Sequence, residues 1–385
     1  MNKTFAVLGA GMQGTAAAYD IAKFASPKKI IMGDHHIENA KKSAWRVNDL
    51  VGSALCEPAQ VDALDAKSLC KFLEEADVLL SCVPYWMHPK IAKVAINAET
   101  NMIDLGGNTE ISMQTLKMDA DAKEAGVTLV PDCGLAPGLV NNFGTYFIEN
   151  MDTVDTIRLY CGVLPQHPQP PFNYKLTFNI EGLVAEYEDQ AVTLTENEIR
   201  LVDTLTELED LDVEQLGKME AFVTSGGTST APYTFQGKVK NYAYKTIRFP
   251  GHCRLMKIFK DFGFWGVDEI EVEGKSIRPR EVWHKLMQHA LSKFVDTDMA
   301  VVRGVGTGKK DGKDVRWQID IFDKEDEVSG FTSMERLTGF TAAIYAIEIA
   351  NDGMQKGCLH YETAMPGTKV LQELAKRGVE IKYAK

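Results

Sequence analysis

The sequence predicts an α/β fold: a doubly wound parallel sheet followed by an inserted α+β domain. Three observations carry this. The first 34 residues run apolar strand, glycine turn, alanine-rich helix, second strand, acid. Further near-continuous apolar runs, each ended by turn residues, recur up to residue 130, as strands buried on both faces should. Beyond about residue 150 the strand-like runs are short, the pattern of a mixed or antiparallel sheet.

The first strand is expected over residues 4–8, where Thr4, Phe5 and Val7 favour extended backbone. Gly9-Ala10-Gly11-Met12-Gln13-Gly14 follows, then a helix over 15–24 and a second strand over 29–33 that ends at Asp34. Each glycine has its own reason. Gly9 makes a tight turn, Gly11 lets a pyrophosphate approach the backbone, and Gly14 lets helix and strand pack closely. The helix N-terminus then faces the pyrophosphate. Asp34 lies 20 residues past Gly14, where an acceptor for a ribose 2′-hydroxyl belongs. A carboxylate there repels a 2′-phosphate and favours NAD. His35 and His36, directly after it, keep NADP as the alternative. In its full strand–turn–helix–strand setting this is a Rossmann-type nucleotide site; a glycine turn without cofactor is the blander reading.

Residues 76–83 predict a buried strand ending at Pro84, Tyr85, Trp86, Met87 and His88. Residues 101–105 and 126–130 predict two more, ending at Gly106-Gly107-Asn108 and at Pro131-Asp132-Cys133-Gly134. Ligands of open α/β sheets bind beyond the carboxyl ends of the strands. The nucleotide-binding set is therefore Gly9, Gly11, Met12, Gln13, Gly14 and Asp34, with Cys82, Val83, Pro84, Leu105 and Gly106 at the later strand ends.

Past residue 150, strands are expected at 156–163, 245–249, 267–272, 300–306 and 314–322, with a proline-rich loop at 164–171 and a polar acidic stretch at 196–220. Residues 309–313 read as an exposed hairpin turn. Residues 334–352 and 371–377 read as helices that fold back on the first domain. The expected organisation is a nucleotide-binding domain over 1–135, a catalytic and oligomerisation domain over 136–335, and a C-terminal return over 336–385.

Composition excludes more than it names. The 54 acidic residues against 42 basic ones give a net charge of −12, which argues against nucleic acid or an anionic membrane as partner. No uninterrupted apolar run reaches the ~18 residues of a membrane-spanning helix. The N-terminus does not read as a signal peptide. Seven widely spaced cysteines without a CxxC pair fit a reducing cytoplasm rather than a disulfide framework. Cys82 and Cys133 read as small buried apolar residues rather than nucleophiles. The eight histidines show no metal-binding spacing, so no metal is expected.

The pairing of the residue 9–14 glycine motif with Asp132-Cys133-Gly134-Leu135-Ala136-Pro137-Gly138 resembles the saccharopine dehydrogenase-like family. Residues 170–174, 178–183, 220–230 and 244–252 are similar to its lysine 6-dehydrogenase branch. Saccharopine reductases carry Leu-Asp-Pro-Gly followed by Asp-His. Here the matching positions read Leu135-Ala136-Pro137-Gly138 and Val140-Asn141, a departure towards the lysine branch. The resemblance implies NAD, a small-molecule amino-acid substrate and a homodimer or higher homo-oligomer. It implies hydride removal from the ε-carbon of L-lysine, then hydrolysis to the semialdehyde, which can cyclise, and ammonia. Two alternatives remain: reductive condensation of the saccharopine or carboxynorspermidine type with NADPH, and a silent NAD-binding sensor or assembly subunit.

Hydride leaves only from the neutral amine, so a general base or a desolvating pocket is required. The candidate bases are Asp132 and Asp104, with Tyr85 as a pocket wall or hydrogen-bond donor and His252 as a proton relay. Arg248 suits a substrate carboxylate, because guanidinium binds it bidentately. Gly134, Thr228 and Ser229 complete the substrate set, with Glu181 for the ammonium. Each has a plainer reading: a turn-fixing acid at Asp132, a seam aromatic at Tyr85, a flexible turn over 225–230, and a structural histidine at 252.

Overall fold

The computed structural model describes residues 2–188, 190–293 and 296–385. Its first layer is a parallel sheet of β1 (Thr4–Leu8), β2 (Lys29–Asp34), β3 (Cys56–Gln60), β4 (Val78–Ser81), β5 (Asn101–Asp104) and β6 (Thr128–Val130). Gly357–Cys358 adds a seventh strand beside β6, and the order runs 3-2-1-4-5-6 before it. This is the doubly wound arrangement, with β1 and β4 adjacent at the point where the chain reverses direction across the sheet. Every residue of β1 and β4 is buried, which is why both read as near-continuous apolar runs. β3 escapes that pattern: it is an edge strand, mostly exposed, and carries Pro58, which edge strands tolerate.

Helix Met12–Phe24 is alanine-rich because another helical segment passes close to it. Ala16, Ala17 and Ala18 are fully buried, and a Cβ on Gly339 would come within 2.8 Å of the Ala16 Cβ.

The second layer is a nine-stranded mixed sheet. Its path runs Glu209–Val213, Gly217–Phe222, Asn241–Arg248, Thr153–Pro165, Asp298–Lys310, Lys313–Lys324 and Ile381–Ala384. Gln190–Thr195 and Glu198–Asp203 pair off this path. Much of the polar acidic stretch at 196–220 is strand: Glu198–Asp203 and Glu209–Val213 are mostly exposed or half-buried at the sheet's margin, where carboxylates stay in water, whereas Glu220 is buried and accepts from the Gly251 and Cys253 N–H groups. The tight turn between Lys310 and Lys313 closes the longest hairpin.

An aromatic cap covers one end of this sheet. Tyr187, Phe222, Trp265 and Trp283 pack with Met256, Leu183 and Val184 into a hydrophobic cluster of their own. The C-terminal segment divides between the layers. Gly357–Cys358 pairs with β6 of the first sheet. Ile381–Ala384 instead pairs with Lys313–Lys324 in the second. Helix Gly367–Lys376 sends it there, because it packs on helix Val140–Asn150, which leads into the second sheet; the Gly367 N–H donates to Glu149 Oε1 at 2.7 Å. Among the described residues no helix is long and apolar enough to cross a membrane.

Candidate active site

The nucleotide end is built by sterics. Gly9 has φ +102°, and a Cβ there would lie 2.8 Å from the Cys82 carbonyl oxygen. A Cβ on Gly14 would sit 2.0 Å from the Gly9 carbonyl oxygen, so neither position admits a side chain. Gly11 is the opposite case: a Cβ would meet nothing within 4 Å, leaving its backbone open to a ligand. Asp34 faces this turn. Its carboxylate accepts from Ala10 N–H at 3.0 Å, His36 N–H at 2.9 Å and Asn39 Nδ2 at 3.1 Å. Both amide atoms of Gln13 are buried without a hydrogen-bond partner, and Gln13 lines the adjoining cavity. Met12 is exposed. An open glycine backbone, an anchored acid and an unsatisfied amide fit a dinucleotide.

Beyond Gln13 lies a cavity of about 300 Å³ between the two layers. On the nucleotide side its wall is Cys82, Val83, Pro84, Tyr85 and Leu105–Gly107. On the other side, Tyr244, Thr246 and Arg248 line it from one strand. They alternate onto one face, and Thr246 pairs with Cys161, which also lines the cavity. Four residues of strand separate the Cα atoms of Tyr244 and Arg248 by ~13 Å. Tyr244 packs under Gly227, whose neighbour Gly226 meets Gly107. Tyr244 therefore stands by the nucleotide seam, with Arg248 two cavity-facing positions further along the strand.

Arg248 is buried and well held. Its Nε donates to Tyr187 Oη at 3.2 Å, its Nη1 to the Ile247 carbonyl at 3.0 Å and its Nη2 to Glu186 Oε2 at 3.3 Å. Its guanidinium also lies 5.1 Å from the Tyr174 ring centroid. Glu186 comes from helix Ile180–Glu188, where Gly182 and Glu186, one turn apart, face the cavity. Burial raises its carboxyl above the usual range, opposed by Arg248.

Several expected residues stand elsewhere. Asp132 is behind the wall: a Cβ on Gly106 would come 2.4 Å from its Oδ1, and it does not line the cavity. It accepts from Ser112 Oγ at 2.8 Å and Ser229 Oγ at 2.6 Å, tying the nucleotide layer to the glycine-rich loop. Burial first, then the charge of Asp104, pushes its carboxyl up to about 7, while the two serine bonds oppose this. Asp104 is also buried. It accepts from Gly106 N–H and Asp132 N–H, with His88 Nδ1 at 3.5 Å, and so fixes the two turns that follow β5 and β6.

Gly134 is a packing position, where a Cβ would meet the Leu105 carbonyl at 2.7 Å. Thr228 donates to the Val192 carbonyl and Ser229 to Asp132, so neither hydroxyl faces the cavity; Thr224, Ser225, Gly226 and Gly227 line it instead. Glu181 is exposed on the helix that carries Glu186, one position off the cavity face. His252 is locked in the cap between Tyr187 Oη at 3.1 Å and the Phe172 carbonyl at 3.3 Å. Burial, helped by Arg248, lowers it to about 3, so it stays neutral and suits no relay near neutral pH.

The structure thus brings together Gln13, Cys82, Val83, Pro84, Tyr85, Leu105, Gly106 and Arg248. Sequence reasoning missed Glu186, which lies in no motif and faces Arg248 only through the fold.

Comparison with known proteins agrees with this geometry. A model of the saccharopine dehydrogenase NADP binding domain matches residues 5–130, and one of the saccharopine dehydrogenase C-terminal domain matches residues 134–379. The saccharopine dehydrogenase [NADP(+), L-glutamate-forming] of Pyricularia oryzae is 22% identical over 283 residues. That match covers 71% of this chain but 61% of the relative, so the chain spans less than two thirds of it. The carboxynorspermidine synthase of Vibrio cholerae is 21% identical, over 87% of this chain and 81% of its own. The solved apo saccharopine dehydrogenase (L-Glu forming) of Saccharomyces cerevisiae shares the fold over 100% of both chains, with a TM-score of 0.76 at 18% identity. With the C-terminal model alone matching more than half of its residues, the chain belongs to the saccharopine dehydrogenase family.

Proposed function

We propose that the chain is an NAD-dependent dehydrogenase that oxidises the ε-amino group of L-lysine to the semialdehyde, with release of ammonia. One observation supports this above the others: the buried Arg248 lines the cavity four strand residues, ~13 Å, beyond Tyr244, which packs under Gly227 next to the nucleotide-side Gly107. A substrate whose carboxylate meets Arg248 reaches that wall with a carbon several bonds away, so a distal amine is the better fit than an α-amine. A bound nicotinamide supplies the hydride acceptor.

The chain's residues do the rest. Arg248 grips the carboxylate. Cys82, Val83, Pro84 and Leu105 give the reacting end an apolar wall. Desolvation there disfavours the ammonium and raises the fraction of neutral amine, from which hydride can leave. Tyr85 stands at the same seam and orients the nitrogen. Asp104 and Asp132 act from behind the wall: Asp104 holds the backbone of the two turns, and Asp132 ties Ser112 to Ser229 of the glycine-rich loop. The Asp34 carboxylate supports NAD over NADP, because a 2′-phosphate would meet its charge.

A second reading, reductive condensation of the saccharopine or carboxynorspermidine type, is supported by the names of the relatives. The experiment is the same for both. Purified protein is given NAD⁺ with lysine, ornithine and diaminopimelate, and separately NADPH with glutamate and the semialdehyde. Reduction of NAD⁺ by lysine alone supports the first reading; turnover only in the condensation mixture replaces it with the second.

A further inference from the structure

The cavity holds one more piece of information. Among its described lining residues, Glu186 is the single carboxylate and Arg248 the single cation, and they are neighbours at 3.3 Å. We propose that they form a two-charge clamp for the α-ammonium and α-carboxylate of an amino acid, and that Glu186 selects α-amino acids over plain carboxylates. This deepens the function proposed above and rests on its placement of the carboxylate.

An α-amino acid carries both charges on one carbon, so the protein groups that read them must be adjacent. Glu186 and Arg248 are adjacent, and they come from different elements, a helix and a strand, on the wall of one cavity. The pair makes a single contact rather than a bidentate one. Arg248 keeps its orientation without it, through Tyr187, the Ile247 carbonyl and the Tyr174 ring. Among the described residues, Arg248 is the only side chain hydrogen-bonded to Glu186. Glu186 is therefore not needed to seat the arginine, and its carboxylate is available to a cation. A carboxylate ligand without an ammonium would place a second negative charge beside Glu186, which penalises the wrong ligand as well as rewarding the right one.

The test separates the clamp from the reaction by removing the distal amine. L-Norleucine has the amino-acid head and an apolar tail; hexanoate has the same carboxylate and tail without the ammonium. Binding of each to the full chain with NAD⁺ is measured by calorimetry, for the wild type, Glu186→Gln and Arg248→Met. The clamp predicts that the wild type binds norleucine ~10- to 100-fold more tightly than hexanoate, as expected for a charged hydrogen bond. Glu186→Gln should lose that preference by weakening norleucine while sparing hexanoate. Arg248→Met should weaken both. The proposal is overturned if the wild type does not discriminate or binds neither, or if Glu186→Gln weakens both ligands equally, as a merely structural residue would. Norleucine discrimination with no lysine oxidation would sink the proposed function and leave the clamp. Lysine oxidation without discrimination would do the reverse.

Discussion

Arg248 carries the substrate reading at the scale of single residues. Its guanidinium is buried, so under the proposed binding mode truncation should remove a desolvated partner of the substrate carboxylate, a loss of about 2–5 kcal/mol. Arg248→Met should lower kcat/KM for lysine by ~100-fold, and a near-unchanged value would remove Arg248 from the site. Asp34 carries the cofactor reading: Asp34→Ala should weaken NAD by ~10-fold and NADP less. Equal losses, measured by fluorescence titration of both reduced cofactors, would end its role in choosing between them.

Asp132 makes a prediction about stability. Its carboxyl rises from 3.8 to about 7 on folding, so the folded state favours the protonated form. That contribution is complete below pH ~4 and is lost as pH rises through 7, on the order of 4 kcal/mol in all. Asp132→Asn abolishes the titration. Its melting temperature relative to the wild type should climb between pH 4 and 8, and a flat or falling difference would contradict the assignment. These acids also mark where the sequence runs out. Asp104 and Asp132 end strands and so look like pocket acids, but a hydrogen bond to a serine or a backbone amide depends on three-dimensional neighbours. Glu186 is invisible for the same reason: only the fold brings Arg248 to it.

At the scale of elements, the glycine turn separates packing from binding. Gly14→Ala would drive a Cβ to 2.0 Å from the Gly9 carbonyl and should lower the melting temperature. Gly11→Ala meets nothing within 4 Å of protein. It should leave the melting temperature almost unchanged while weakening dinucleotide binding, and the reverse pattern would refute the assignment of the two glycines. This turn was legible because its sterics are local. So were β1 and β4, buried on both faces and apolar except for Thr4 and Ser81. β3 was not, since an exposed edge strand with Pro58 has no apolar signal. The strands within 196–220 were hidden by their own carboxylates, which solvent accommodates at a sheet margin. The departure of Ile381–Ala384 to the second sheet depended on where helix Gly367–Lys376 docks, which no local pattern records.

On the scale of the whole molecule, two layers meet along one seam, and the cavity exists only there. The net charge of −12 is compatible with a cationic amine substrate, but the proposed site asks for more: an apolar wall at the reacting carbon and a charged anchor for the carboxylate. That arrangement predicts a pH dependence. The ε-ammonium has a reference pKa of about 10.4, and no carboxylate lines the nucleotide-side wall among the described residues. kcat/KM for lysine should therefore rise with pH from neutral towards ~9, as the neutral amine becomes more abundant. The central claim is tested most directly by the near-ultraviolet absorbance of NADH when the purified chain is given NAD⁺ and L-lysine as the sole substrate. The account predicts NADH formation that requires lysine and increases with pH. No NADH from lysine at any pH, under conditions where NAD⁺ is shown to bind, would contradict it.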